Sequence, residues 1–437
     1  MSKRRFAARS GAECKQRAQP SEVDAIRAER RSNSGLDGRR VSERALAARP
    51  RDQSAFGAAH VNLDFNDEQQ ALRDLVRGIC AEHAPIAVVR AMEDDARGWP
   101  DALWKKLAET GVLGLLVPEA HGGAAQGLLE AVIAFEELGR ALAPTPAFVS
   151  SVVCASALLA AGDDAQQREW LPRLASGDAV LTPAWLEPQR GFGAAGVQLR
   201  AERDGAGWRL SGTKRGVAFA SAATRLLVLA RSAAAPRDVT LFLVDPSARG
   251  ITAKQVRSLA SDTQYELALD GVQLGDAARV ASVGAGWEIW ERVLRDAFVV
   301  AAAFANGACQ RALDITVQYA KDRKQFDKPL GAFQAISHYL ADAATALDGS
   351  KYLTYEAASV RDAGGDTARL APMAKLFACD TFRDTTAMCQ QVWGGVGFSV
   401  EYDIQLYFRR AKQLQLSWCD PPHLEELIAR SMLGDVR

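Results

Sequence analysis

No stretch of this 437-residue chain stays apolar for the roughly 20 residues that a bilayer-spanning helix needs. Net charge is equally lacking: 53 Lys and Arg balance 53 Asp and Glu, leaving no field to draw nucleic acid or an anionic membrane. The seven cysteines are scattered, odd in number and never in C-x-x-C pairs. They read as reduced, mostly buried thiols of a cytoplasmic protein, not as a disulfide or metal framework. His83, His121, His338 and His423 show no metal-ligand spacing, and His60 lies in a basic leader, so no metal is expected. No G-x-S-x-G, Walker or dinucleotide fingerprint occurs, which leaves hydrolase, nucleotide-hydrolase and nicotinamide chemistry unsupported.

What is present begins with an asymmetry. Residues 1–60 carry fourteen Lys and Arg against seven Asp and Glu, and the rest of the chain holds the compensating negative charge. This Arg-, Ser- and Gly-rich text has few large apolar residues and is expected to stay disordered. Its acidic residues argue against a transit peptide. The better expectation is a reading frame begun too far upstream, with the mature chain starting near Val61, a residue that an alternative start codon can encode. N-terminal sequencing of the native protein tests this.

Beyond the leader the hydrophobic period changes twice. From Asn66 to about Gly177 the text is helical: Asp67 and Glu68 open a helix with Leu72, Leu75, Val76 and Ile79 on one face, and further helices are expected near Trp99–Leu107, Leu128–Leu142, Val149–Ala161 and Ala165–Ala175. Between about Asp178 and Ala281 the period is two, with β-rich runs at 197–201, 208–210, 226–230, 239–244 and 265–269 separated by glycine turns. From Trp287 to Met432 it is helical again, with about four long helices.

The stretch from Tyr319 to Leu347 stands out. A helix ends in a charged turn, a Pro-Leu-Gly break follows, and Phe333, Ile336, Leu340, Ala344 and Leu347 then mark one apolar helical face. Arg323, Lys324, Gln325 and Phe326 sit at the join, where a planar guanidinium suits diphosphate better than an ammonium does. A plain solvated helical hairpin is the structural alternative.

Two blocks resemble the acyl-CoA dehydrogenase family. Arg323-x-Gln325-Phe326-x-x-Pro329-Leu330-x-x-Phe333-Gln334, followed by Leu340-Ala341-Asp342, is similar to one family signature. Gln391-Val392-Trp393-Gly394-Gly395-Val396-Gly397-Phe398 resembles its Q-x-x-G-G-x-G-F turn, and Glu401-Tyr402, Tyr407 and Arg409–Lys412 continue the pattern. The likeness runs from about Asp64 to Leu433. It implies an α+β multidomain fold with an N-terminal α-helical domain (61–177), a central β-sandwich or barrel domain (178–282) and a C-terminal four-helix bundle (283–437). It also implies FAD, an acyl-CoA substrate, electron-transfer flavoprotein as electron acceptor, and a homo- or hetero-oligomer in which the far end of FAD reaches a neighbouring subunit. On this resemblance Arg323, Gln325, Phe326 and Gln334 approach the adenosine-diphosphate end of FAD, and Gln391, Gly394 and Gly395 meet the same portion from the other subunit's side. A helix cap with a tight turn is the alternative for the two glycines.

The chain departs from the pattern where the flavin ring and substrate belong. The family's T-E-P-x-x-G-S-D loop reads Leu186-Glu187-Pro188-Gln189-Arg190-Gly191-Phe192-Gly193, losing two hydroxyls. A Trp and a Thr expected after G-x-K are replaced within Gly212–Phe219. The catalytic glutamate has two usual places, and alignment of the flanking text puts Trp418 at one and Ala297 at the other. The nearest carboxylates, Asp296 and Asp420, are weak candidates for a base, and Asp420 before Pro421-Pro422 reads more simply as a helix N-cap. Two functions stay open: an FAD-dependent acyl-CoA dehydrogenase introducing an α,β double bond, or a non-catalytic subunit of a hetero-oligomeric dehydrogenase that completes a partner's FAD site. A flavoprotein of this fold with other chemistry is a third.

Overall fold

The computed structural model of the chain describes residues 65–434; the basic leader, Cys14, His60 and the expected start at Val61 lie outside the described residues. Six α-helices come first: α1 (Asp67–His83), α2 (Ile86–Met92), α3 (Asp101–Glu109), α4 (Leu128–Arg140), α5 (Ala155–Ala161) and α6 (Asp164–Ala175). α1 and α6 begin on the same device. Asn66 and Asp163 each accept a backbone N–H three residues on, and Gln69 and Gln166 return the bond. The Gln166 amide also donates to the carbonyls of Ala277 and Arg279 at 3.0 Å, tying α6 to the following sheet.

The helix expected over Val149–Ala161 differs in its first half. Phe148–Cys154 winds as a π-helix before α5 takes over. Its wider turn brings the Ser150 hydroxyl to the backbone N–H of Leu181 at 3.1 Å, a bond linking the helical layer to the first strand.

The strands are β1 (Leu181–Ala184), β2 (Arg200–Asp204), β3 (Gly207–Ala218), β4 (Arg225–Arg231), β5 (Val239–Val244), β6 (Ile251–Val256), β7 (Gln264–Gly275) and β8 (Arg279–Val280). They form one mixed sheet in the order β6-β7-β3-β2-β4-β5-β8, with β1 added in parallel to β4. β4 and β5 are apolar at nearly every position because both their faces are covered. Leu226, Val228, Ala230, Phe242 and Val244 face a core built with β3 and β7, while Leu227, Leu229, Leu241 and Leu243 belong to the core shared with the helices.

Five helices complete the chain: α7 (Gly286–Asp322), α8 (Gln334–Asp362), α9 (Leu370–Trp393), α10 (Ile404–Leu416) and α11 (Pro421–Leu433). α7 has 37 residues, about 55 Å at about 1.5 Å per residue. Two glycines let α4 and α7 meet backbone to backbone. A Cβ on Gly307 would stand 1.7 Å from the Glu136 carbonyl, and one on Gly139 would stand 2.1 Å from that of Phe304. The three-part order of helices, sheet and helices is thus as the periodicity anticipated. Between α7 and α8 the expected charged turn is a small antiparallel hairpin, β9 (Lys324–Gln325) and β10 (Lys328–Pro329). No helix among the described residues is long and apolar enough to cross a membrane.

Candidate active site

A cavity of about 1140 Å³ opens between the N-terminal helices, the sheet and the last two helices. Its walls come from the π-helical turn (Phe148, Val149), the loop after β1 (Leu186, Arg190–Phe192), the outer end of β3 (Arg215, Gly216, Ala218) and the α10–α11 corner (Trp418, Asp420, His423).

The loop after β1 is held by a pair of buried charges that the sequence reading did not single out. The Glu187 carboxylate accepts the backbone N–H groups of Gln198 and Leu199, both at 2.8 Å, and the Lys214 ammonium at 2.7 Å. Lys214 also donates to the Trp185 carbonyl at 3.3 Å and is wholly buried, and that burial lowers its pKa to about 8 against the pull of Glu187. Removing either charge would strand the other in a dry interior. A signal did exist, in the Glu-Pro and Gly-x-Lys text, but only the fold shows that the two meet. Beside Lys214 the register of β3 against β7 slips, and the resulting bulge turns Arg215 and Gly216 out to the cavity. Gly216 and Ala218, both small, leave room there.

The opposite wall is aromatic. The Trp418 ring meets Phe148 edge-on with centroids 5.0 Å apart and lies nearly parallel to Trp185 at 6.2 Å. Trp185 in turn touches Trp290 and Phe192, at 5.4 and 6.0 Å. Trp418 and Cys419 both adopt positive φ, +53° and +74°, a conformation that non-glycine residues rarely hold without support. The support is Lys375. Its buried ammonium donates to the carbonyls of Gln415, Ser417 and Cys419 at 3.3, 2.8 and 2.5 Å and so clamps the turn that carries the tryptophan.

The two candidate bases part company. Asp296 makes two bonds to Arg361 of α8, at 3.2 and 3.0 Å, and is not among the residues lining the cavity. Its neighbour Ala297 is fully buried. Asp420 does line the cavity, but it caps α11, accepting the His423 backbone N–H at 3.2 Å.

The residues expected at the far end of FAD lie together, away from the cavity. Arg323, Gln325, Phe326 and Gln334 are exposed, Phe326 at 87%. Phe326 and Asp327 make the hairpin turn with φ of 52° and 63°. Gln391 is also exposed. Gly394 ends α9 with φ 66° and ψ −142°, a shape open to glycine alone, and a Cβ on Gly394 or Gly395 would meet nothing within 4 Å. The two segments are joined where Tyr319 stacks on Trp393, centroids 4.2 Å apart, and the Trp393 indole donates to Thr316 at 3.0 Å. So both blocks belong to one face of one chain, and none of the seven residues lines the cavity. Exposed side-chain donors beside side-chain-free glycines suit a dinucleotide, and the roomy, ring-walled cavity suits a flavin.

Comparison with known proteins identifies the family and the three-part fold. Three family profiles match in succession: acyl-CoA dehydrogenase N-terminal domain over residues 66–178, middle domain over 183–272 and C-terminal domain over 284–417. An acyl-CoA dehydrogenase of Bacillus subtilis is 30% identical over 362 residues, covering 81% of this chain and 95% of its own length. Among solved structures, a glutaryl-CoA dehydrogenase from Mycobacterium smegmatis in complex with FADH2 superposes with a TM-score of 0.79 at 25% identity, covering 85% of this chain and 96% of that one. The ChsE4-ChsE5 complex from Mycobacterium tuberculosis matches with a TM-score of 0.77 at 27% identity, covering 85% and 98%.

Proposed function

The chain belongs to the acyl-CoA dehydrogenase family, and from that premise we propose that it serves the FAD-dependent α,β-dehydrogenation of an acyl-CoA thioester, with electrons passed to electron-transfer flavoprotein. One observation carries this reading: the cavity and the surface suited to a dinucleotide are separate on a single chain. A cofactor that touches both needs two chains, so the working form is an oligomer. The cavity takes the flavin ring and the acyl group, and Arg323, Gln325, Phe326, Gln334, Gln391, Gly394 and Gly395 hold the far end of a neighbour's FAD. Buried free thiols at all six described cysteines support a reducing, cytoplasmic setting.

FAD, when bound, supplies the acceptor for the hydride lost from Cβ. The chain's own residues do the rest. Glu187 and Lys214 fix the loop against the sheet, so that its backbone is rigid where the ring lies. Trp185, Trp418 and Phe148 exclude water, which strengthens every polar contact to the thioester carbonyl and so acidifies the adjacent C–H.

A second reading is favoured by Trp418 itself, an indole where a proton-accepting carboxylate is expected. It makes this chain the non-catalytic subunit of a hetero-oligomer, lending its exposed hairpin to a catalytic partner. Visible spectra of the chain purified alone and after co-expression with an adjacent dehydrogenase separate the two. A yellow homomer that reduces an artificial acceptor with an acyl-CoA supports the first reading and sinks the second. A colourless chain that becomes yellow only with the partner does the reverse.

A further inference from the structure

The cavity has lost the expected carboxylate but not every group able to take a proton. We propose that His423 is the proton acceptor of this cavity, removing the α-hydrogen of an acyl thioester through Nε2; this rests on the reading of the cavity as an acyl-CoA site.

The argument starts from the carboxylates in the wall. Glu93 is held by Arg409 at 2.7 and 2.9 Å and by Arg410 at 3.2 Å. Asp262 is exposed and bound to the side-chain amides of Gln264 and Gln413. Asp420 is used as a cap, and Glu426 is half-exposed and paired with Arg430. Glu266, on β7, is the one left without a side-chain partner.

His423 differs from all of these. Its side chain is 17% exposed and lines the cavity. Its backbone is fixed by the Asp420 cap in the first turn of α11, and its ring packs against Phe192 with centroids 5.9 Å apart. Nδ1 faces the Glu426 carboxylate, one turn along, at 3.6 Å. That contact orients the ring and leaves Nε2 free of any hydrogen bond. The neutral imidazole is the form that accepts a proton. Burial lowers the pKa of His423 and Arg430 adds to that, while Glu426 and Asp420 oppose it. The positive end of α11 favours the neutral ring as well.

The step balances without any oxidant. The C–H bond at Cα breaks, its proton goes to Nε2, and its electron pair moves onto the thioester oxygen as an enolate. The imidazolium so formed is stabilised by Glu426.

Acetoacetyl-CoA tests this, because its acidic α-hydrogen is lost at equilibrium and no oxidation is involved. The FAD-loaded protein, with a co-expressed partner whose own catalytic carboxylate is replaced by its amide if one is needed, is mixed with acetoacetyl-CoA. Enolate absorbance reads proton transfer and calorimetry reads binding. The wild type is expected to bind and to show the enolate. His423→Asn and His423→Gln should still bind but lose the enolate signal by about tenfold or more, and Glu266→Gln should keep it. An unchanged signal in both His423 variants, or its loss in Glu266→Gln alone, overturns the assignment. A wild type that binds without forming enolate overturns it too, yet leaves the acyl-CoA reading standing. A wild type that does not bind the thioester removes that reading, and His423 with it.

Discussion

The cavity wall and the α7–α8 hairpin face are built on opposite plans. In and behind the cavity wall the buried charges meet partners within the chain: Glu187 meets Lys214, Glu93 meets two arginines, and Lys375 meets three carbonyls. On the hairpin face Arg323, Gln391 and the Phe326 ring stand in the open, Phe326 on a turn that glycine or asparagine would form more easily. A wall backed by buried charges that are paired internally is shaped by its own fold. A face that leaves good donors and most of a large ring exposed is shaped by something outside the chain. The departures from the family pattern noted in the sequence, at Leu186, Phe192 and Trp418, lie in the first region.

This contrast can be broken by substitution, and the largest effect belongs to the buried pair. Lys214→Met leaves Glu187 charged and unpaired in the interior. It should cost about 3–5 kcal/mol of stability, read as a fall in the urea midpoint; a cost under about 1 kcal/mol would show that water reaches the pair. The same lysine gives the next effect. Its pKa is lowered from 10.5 to about 8, so between those values the folded chain binds fewer protons than the unfolded one. Its contribution to stability should therefore rise as pH climbs from about 8 towards 10.5 and be smallest below 8. Comparing urea midpoints of wild type and Lys214→Met across that range isolates the slope.

On the open face the expectation reverses, with function lost and stability kept. Arg323→Ala removes a charge-assisted contact to diphosphate, about 1.5–3 kcal/mol, and should weaken flavin retention by about tenfold or more. The thermal midpoint of the flavin-free chain should not move. Unchanged flavin content would remove the main cofactor contact proposed above. The smallest effect is at the turn. Phe326→Gly relieves a left-handed φ and should change the stability of the isolated chain by less than about 1 kcal/mol while loosening the oligomer, measured by sedimentation.

How much of this was legible in the sequence depends on the distance over which a residue acts. β4 and β5 were readable because burial on both faces makes them apolar throughout. β6 was not, since five of its six residues are exposed and it carries no alternation. The hairpin was missed because Phe-Asp has none of the Asn-Gly signal of such turns. The Asp420 cap was legible from the two prolines after it, a purely local cue. The fate of Asp296 was hidden, because Arg361 lies 65 positions away. The Glu187–Lys214 pair was hidden for the same reason, across 27 positions. The aromatic wall could not be foreseen either, since Phe148, Trp185, Trp290 and Trp418 come from four separate elements.

The two strands shared between both cores also restrict how a ligand can enter. Prising the sheet from the helices would wet Leu227, Leu229, Leu241 and Leu243 together, at about 1.5–3 kcal/mol for each side chain. A clamshell opening is therefore closed to this molecule. Traffic in and out must pass by small adjustments at the rim, where Arg190 and Arg215 extend from a loop and a bulge and can swing aside without disturbing anything beneath them.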